Sequence, residues 1–207
     1  IEPNHGDAHF NLANTYKQMR NFKKAQEFYE KTTQIQPNNP SVHNNYGNVC
    51  KQLGEFSKAI TSYNRAIELK PDHPRAHHNL GNTYNQLGEY SKAISSFKRA
   101  YQYQPFNLES LYNWSDLDNG ILDLKLKKKI NLIMKNKQLP KKYSAYGNFL
   151  FAKYELGKHN YEGEFNYLVK GHIDYFDSNK AFFEKGVNYW LKDLPKIEEL
   201  EKINKKK

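Results

Sequence analysis

The side chains best suited to chemistry in this sequence come in evenly spaced sets. Asn11, Asn45 and Asn79 lie 34 residues apart, as do Asn14, Asn48 and Asn82, and Gln18, Gln52 and Gln86. Lys17 and Lys51 form a further set that Asn85 completes, and Asn113 extends the first. A carboxamide offers one acceptor oxygen and two N–H donors, the complement of a peptide group. A column of them can hold an extended backbone without reading its side chains. Lys17 and Lys51 would add a salt-sensitive preference for acidic segments. Asparagine is a poor helix former, so its repetition asks for a reason. The competing reason is structural: in a chain with 24 asparagines, some cap helices or bond neighbouring units. On the binding reading, alanine at Asn45, Asn48, Asn79 and Asn82 should weaken binding and leave the fold as stable or slightly more so.

Other chemistry is weaker. His9, His43 and His77 also recur every 34 residues. Groups one unit apart cannot share a metal ion whose ligands sit at about 2.0–2.1 Å, so packing against aromatic rings is the expected role. His73 and His77 are separated by Pro74, which puts His73 in a turn. Cys50 is the only cysteine. It excludes an internal disulfide framework, fits a reducing cytoplasm, and stands where neighbouring units carry Tyr16 and Tyr84, the place of a small buried thiol. No paired carboxylates, Ser–His or Cys–His arrangement stands out, and the glycines sit at helix ends and packing positions rather than in a phosphate cradle. No catalytic residue, metal ligand or cofactor site is therefore assigned.

The elements that must position these columns are helices. Pro3, Pro37, Pro71 and Pro105 are spaced by 34 residues, and the stretches between them align without a gap. Ala13, Gly47 and Gly81 share one position. Ala25, Ala59 and Ala93 share another, Phe22, Phe56 and Tyr90 a third, and Tyr29, Tyr63 and Phe97 a fourth. Phe56, Ile60, Tyr63 and Ile67 return at three- and four-residue steps, the apolar stripe of a helix. Small residues at Gly47 and Ala59 let two helices approach closely. Leu53-Gly54 ends the first helix, with glycine in the left-handed cap position. The first unit carries Arg20 there instead. Pro71 ends the second helix.

This period and residue order resemble the tetratricopeptide repeat. The resemblance covers residues 6–105 and implies an all-α solenoid, a right-handed superhelix of antiparallel helix pairs whose first helices line a concave side. Three regular units are expected in residues 1–105 and a degenerate helical extension in residues 106–207. Ile1-Glu2-Pro3 aligns with Ile35-Gln36-Pro37, the close of a unit, which leads one to expect more repeats upstream. The asparagine ladder resembles that of O-linked N-acetylglucosamine transferase. Asn14, Asn45 and Arg75 fit the carboxylate clamp of chaperone-binding repeats, but Phe10 and Asn79 stand where that clamp needs Lys and Arg.

Composition agrees with an elongated array. Charged residues make up 26% and hydrophobic ones 38%, polar for a single compact core. The net charge of +10 comes from 28 lysines and only four arginines. Base and phosphate readers lean on arginine forks, so nucleic-acid binding is set aside. The Lys, Asn, Ile and Tyr usage is that of an AT-rich coding bias. No apolar run is long enough to span a membrane.

Past Pro105 the period fails. Helices are expected over 109–117, 122–136, 141–156, 161–170 and 179–191. Ala152 and Tyr161 keep the small and aromatic positions of a repeat, while Glu164 stands at the packing alanine. Residues 139–172, with Ala152-Lys153-Tyr154-Glu155, Tyr161, Phe165 and Gly171-His172, resemble the segment that joins repeats to the catalytic domain in bacterial tetratricopeptide–sulfotransferase proteins. That resemblance implies a parent enzyme using phosphoadenosine phosphosulfate. The phosphate loop such an enzyme needs is not in this sequence, so no catalytic residue carries over. Three functions follow as expectations: a protein- or peptide-binding scaffold that serves as the targeting arm of a larger protein; a non-catalytic helical part of a sulfotransferase; or a module that self-associates through repeat edges.

Overall fold

The computed structural model describes residues 5–180. Every regular element among them is helical. They fall into two compact units that divide between Leu126 and Lys127.

The first unit opens with three helix pairs: α1 (Gly6–Gln18) with α2 (Phe22–Ile35), α3 (Pro40–Gln52) with α4 (Phe56–Leu69), and α5 (Pro74–Gln86) with α6 (Tyr90–Tyr103). Each second helix also packs on the first helix of the next pair, and α6 packs in this way on α7 (Leu108–Leu117). The expected boundary at residue 105 thus marks where the sequence period ends. Packing continues through α7, and the compact unit runs to Leu126.

The repeated residues explain the pairs. Tyr29, Tyr63 and Phe97 are wholly buried, as are Ala25, Ala59 and Ala93. They press on the small residues of the first helices. A Cβ added at Gly47 would lie 2.7 Å from Tyr63 Cε1 and 3.1 Å from the Ala59 carbonyl oxygen, and one at Gly81 would lie 2.7 Å from the Phe97 ring. Only glycine admits these rings without displacement.

The connections are equally legible. Gly54 and Gly88 take φ of +78° and +75°, the left-handed conformation that closes a helix. Arg20 occupies the equivalent place with φ +60°, where a Cβ meets the neighbouring carbonyl. Pro40 and Pro74 stand at the first turns of α3 and α5, where the missing N–H costs nothing. Asn39 Oδ1 and His73 Nδ1 cap these helices by accepting from the Ser41 and Ala76 amides.

The histidine column does more than pack. His9 stacks on Phe28 and His77 on Tyr103, as expected. His43 Nε2 and His77 Nε2 also donate to the carbonyls of Pro37 and Pro71, at 2.8 and 2.9 Å. Each ties a first helix to the proline turn that precedes it.

In the second unit, α9 (Lys141–Leu156) and α10 (Tyr161–Ser178) form a hairpin, preceded by α8 (Leu124–Met134). Helix α8 starts later than residue 122 because Asp123 caps it, accepting from the Leu126 amide at 2.6 Å. Helix α10 runs beyond residue 170 because Gly171 does not end it. Gly171 is buried against Phe149, a close helix crossing. Ala152 is buried as expected. Asp174 accepts from Ser144 Oγ at 2.6 Å and Asn148 Nδ2 at 3.2 Å, linking the two helices. All but the first two residues of the helix expected over 179–191 lie outside the described residues.

Candidate recognition face

The first helices lie side by side, and carboxamides join them. Asn45 Nδ2 on α3 donates to Asn14 Oδ1 on α1 at 3.4 Å. Asn79 Nδ2 on α5 donates to Asn44 Oδ1 on α3 at 3.0 Å. Asn113 Nδ2 on α7 donates to Asn82 Oδ1 on α5 at 3.0 Å. The second helices brace the same ladder from behind. Tyr29 donates its phenol to Asn14 Oδ1 at 2.6 Å, and Tyr63 to Asn48 Oδ1 at 2.8 Å.

These contacts revise one expectation. The amides of Asn45, Asn48, Asn79 and Asn82 are half-buried and bonded to other helices. Alanine at all four would strand their partners, so the quadruple change must lower stability. The column is in part a structural device.

It is not only that. The Nδ2 groups of Asn14 and Asn48 have no partner among the described residues, nor have the Oδ1 atoms of Asn79 and Asn113. Asn11, Gln18, Gln52 and Gln86 are exposed, and their side chains bond to nothing described. Arg75 is exposed at the start of α5, beside an open groove that also includes Ser41, Lys70, Tyr103 and Phe106. Lys17 and Lys51 are half-buried, and neither forms an ion pair among the described residues. Burial holds both ammonium groups below the usual lysine range.

Two participants were not legible as a column. Asn44 and His78 occupy a position that reads Phe10, Asn44, His78 and Tyr112 in successive units, so no recurrence marks it. In the third unit Phe97 replaces the tyrosine and has no hydroxyl. There His78 Nε2 lies 2.9 Å from Asn82 Nδ2 and accepts its N–H, while His78 Nδ1 lies 2.8 Å from Ser110 Oγ. Glu109 Oε1 is 3.9 Å from Nε2. This brings Ser, His and Glu together, but Ser110 is wholly buried, and no substrate can meet its hydroxyl. The cluster is a joint between α5 and α7. Cys50 is likewise wholly buried, and burial pushes its thiol above the usual range, the opposite of an activated nucleophile.

The tetratricopeptide repeat family model matches residues 6–39 and 74–107, and a second TPR repeat model matches residues 47–88. These are tetratricopeptide repeats. No curated protein matches the sequence. Among solved structures, the MamA protein is 18% identical, with 86% of this chain and 95% of that one covered and a TM-score of 0.59. YrrB, described as a TPR protein with an unusual peptide-binding site, is 17% identical over 89% of this chain and 94% of its own, with a TM-score of 0.57. The first TPR of Spaghetti (RPAP3), bound to the HSP90 peptide SRMEEVD, is 19% identical over 59% of this chain and 98% of its own, with a TM-score of 0.54. At these identities the likeness is one of fold. It places the amide ladder on the first helices of a tetratricopeptide array, and no helix among the described residues is long and apolar enough to cross a membrane.

Proposed function

We propose that the face formed by α1, α3, α5 and α7 holds an extended segment of another protein, making the chain a peptide-binding scaffold. The observation that carries this reading is the set of unused amide groups in register across consecutive helices: Asn14 and Asn48 Nδ2 beside the exposed Gln18, Gln52 and Gln86. Unused donors fixed by a phenol behind them are preorganised, which lowers the entropic cost of binding. That YrrB has a peptide-binding site and that the Spaghetti repeat holds a peptide supports the same reading.

The test is a peptide-display selection on the 207-residue chain, followed by titration of the recovered peptides. Gln52→Trp and Gln86→Trp place a bulky ring on the face. They should weaken binding at least tenfold, while Ile173→Glu on α10 should leave it unchanged. The reverse pattern would move the site to the second unit.

A second reading is self-assembly, and α10 favours it. Phe165, Val169 and Ile173 are 66%, 41% and 57% exposed, at four-residue steps along one face. An exposed apolar stripe of this kind marks an interaction surface. Sedimentation at several concentrations, with and without Phe165→Glu and Ile173→Glu, separates this reading from a monomeric scaffold. The link of residues 139–172 to sulfotransferases rests on sequence resemblance alone, and the cytoplasmic placement on the single cysteine.

A further inference from the structure

The net charge of this protein is concentrated in one stretch. Residues 124–154 hold nine lysines and no aspartate, glutamate or arginine. They supply nine of the ten net positive charges, and the remaining residues are close to balanced. A coding bias toward lysine scatters cations among acids. It does not by itself clear the acids from a whole stretch.

The structure sorts these lysines into two sets. Lys127 Nζ lies 2.5 Å from Glu155 Oε1 and 4.1 Å from the centre of the Tyr154 ring, and Lys141 pairs with Asp177. Both are matched by carboxylates of the α9–α10 hairpin. Lys128, Lys129 and Lys135 are exposed, and they form no ion pair among the described residues.

Helix geometry puts the second set on one face. Ile130 is 1% exposed and seats α8, whereas Leu132, two residues further along and on nearly the opposite side, is 68% exposed. Lys128 and Lys129 precede Leu132 by four and three residues, and Lys135 follows it by three, the steps that share a helix face. The Lys135 amide bonds to the Asn131 carbonyl at 3.2 Å, so the helical turn carries on to it. A bare leucine is thus ringed by three ammonium groups with no carboxylate against them. Lysine stems can lie along apolar surface while their heads reach outward.

We propose that this face of α8 docks reversibly on an anionic lipid surface, with Leu132 entering the headgroup boundary and Lys128, Lys129 and Lys135 over the charged headgroups. The site belongs to the second unit and does not depend on the amide ladder. Charge complementarity selects an anionic partner, and two features select a bilayer over a polynucleotide. Lysines answer a diffuse surface potential, whereas fixed phosphates are read by arginine forks, and this stretch has no arginine. A leucine at the tip of a cationic face gains by leaving water for the acyl boundary. A phosphate backbone offers it nothing. Three lysines and one leucine give weak binding, short of a stable anchor.

The test is flotation of the 207-residue chain with vesicles of mixed phosphatidylcholine and phosphatidylserine, against vesicles of phosphatidylcholine alone. The chain should float with the mixed vesicles only, and should detach at about 1 M salt, where the Debye length is about 3 Å. Lys128→Gln, Lys129→Gln and Lys135→Gln combined should lower the vesicle partition by about tenfold or more. Leu132→Ser should lower it roughly fivefold. Lys23→Gln, Lys31→Gln and Lys70→Gln combined remove the same charge from other exposed positions and should leave it unchanged. Helical circular dichroism verifies the fold of each variant. The proposal is overturned if the mixed vesicles do not capture the chain, or if phosphatidylcholine alone captures it equally. It is overturned too if the α8 lysine variant or Leu132→Ser floats like the parent, or if the control triple is weakened as much. Lysine-dependent binding of a DNA duplex without capture by vesicles would assign the patch to nucleic acid and likewise overturn it.

Discussion

The phenol of Tyr63 donates to Asn48 Oδ1 at 2.8 Å, from a ring that is itself wholly buried. A core residue of one helix thus fixes the orientation of an amide on the recognition face of its neighbour. The side that carries the Nδ2 donors is left outward. Tyr29 and Asn14 repeat the arrangement at 2.6 Å.

Tyr63→Phe removes that bond and little else. The third repeat carries Phe97 at the same place, so the ring packs without a hydroxyl. The expected cost is about 0.5–1.5 kcal/mol by urea denaturation, with helical circular dichroism unchanged. A neutral result would mean the amide finds a replacement partner, and binding by the face should then be unaltered.

The glycine turns provide a pair of opposite signs. Arg20 is held at φ +60° where its equivalents are Gly54 and Gly88. A left-handed residue with a Cβ costs roughly 1–2 kcal/mol, offset by the greater freedom of unfolded glycine, roughly 0.5–1 kcal/mol. Arg20→Gly should therefore stabilise the chain by about 0.5–1 kcal/mol. Gly54→Ala should destabilise it by a similar amount. Melting temperatures that move in the same direction would contradict the alignment of the two turns.

Overpacking tests the helix pairs. Ala59 is wholly buried, and its carbonyl oxygen would lie 3.1 Å from a Cβ at Gly47. Ala59→Leu and Gly47→Ala should each cost roughly 1–3 kcal/mol in chemical denaturation. A cost below about 0.5 kcal/mol at both would show that α3 and α4 separate without penalty.

Acid should loosen the proline turns. Burial lowers the pKa of His77, and burial with Lys70 nearby lowers that of His73, both from 6.5. The folded state therefore keeps both rings neutral while the unfolded chain takes up protons first. Stability is full above about pH 6.5 and falls as pH drops from there toward the folded-state values, by at most about 1.4 kcal/mol per pH unit for each ring. The melting temperature should drop between pH 7.5 and 5.5, and His77→Gln should reduce that drop. An unchanged slope in the variant would remove His77 from the account.

Much of the architecture was legible because it recurs. Gly47, Ala59 and Tyr63 each have counterparts in the neighbouring units, and each of these three positions met a physical demand in the structure: a close helix approach or a wholly buried ring. The site was legible only as columns. Which half of each amide is used depends on Tyr29 and Tyr63 reaching across from the second helices, and that geometry is not local in sequence. His78 and Asn44 escaped notice because their position changes identity from repeat to repeat. Continuation through α7 was legible from Asn113, one period beyond Asn79, but the apolar contacts that seat the helix were not. Leu108 and Leu111 are wholly buried but follow no 34-residue spacing that a period could reveal.

The most direct test of the central claim is a side-chain amide NMR titration. A peptide recovered by selection is added to the 207-residue chain while the Asn and Gln NH2 resonances are followed. The account predicts shifts at Asn14, Asn48, Gln18, Gln52 and Gln86, with the NH2 groups of Asn148 and Asn179 in the second unit unmoved. Shifts confined to Asn148 and Asn179, with the first-helix amides silent at saturation, would contradict it.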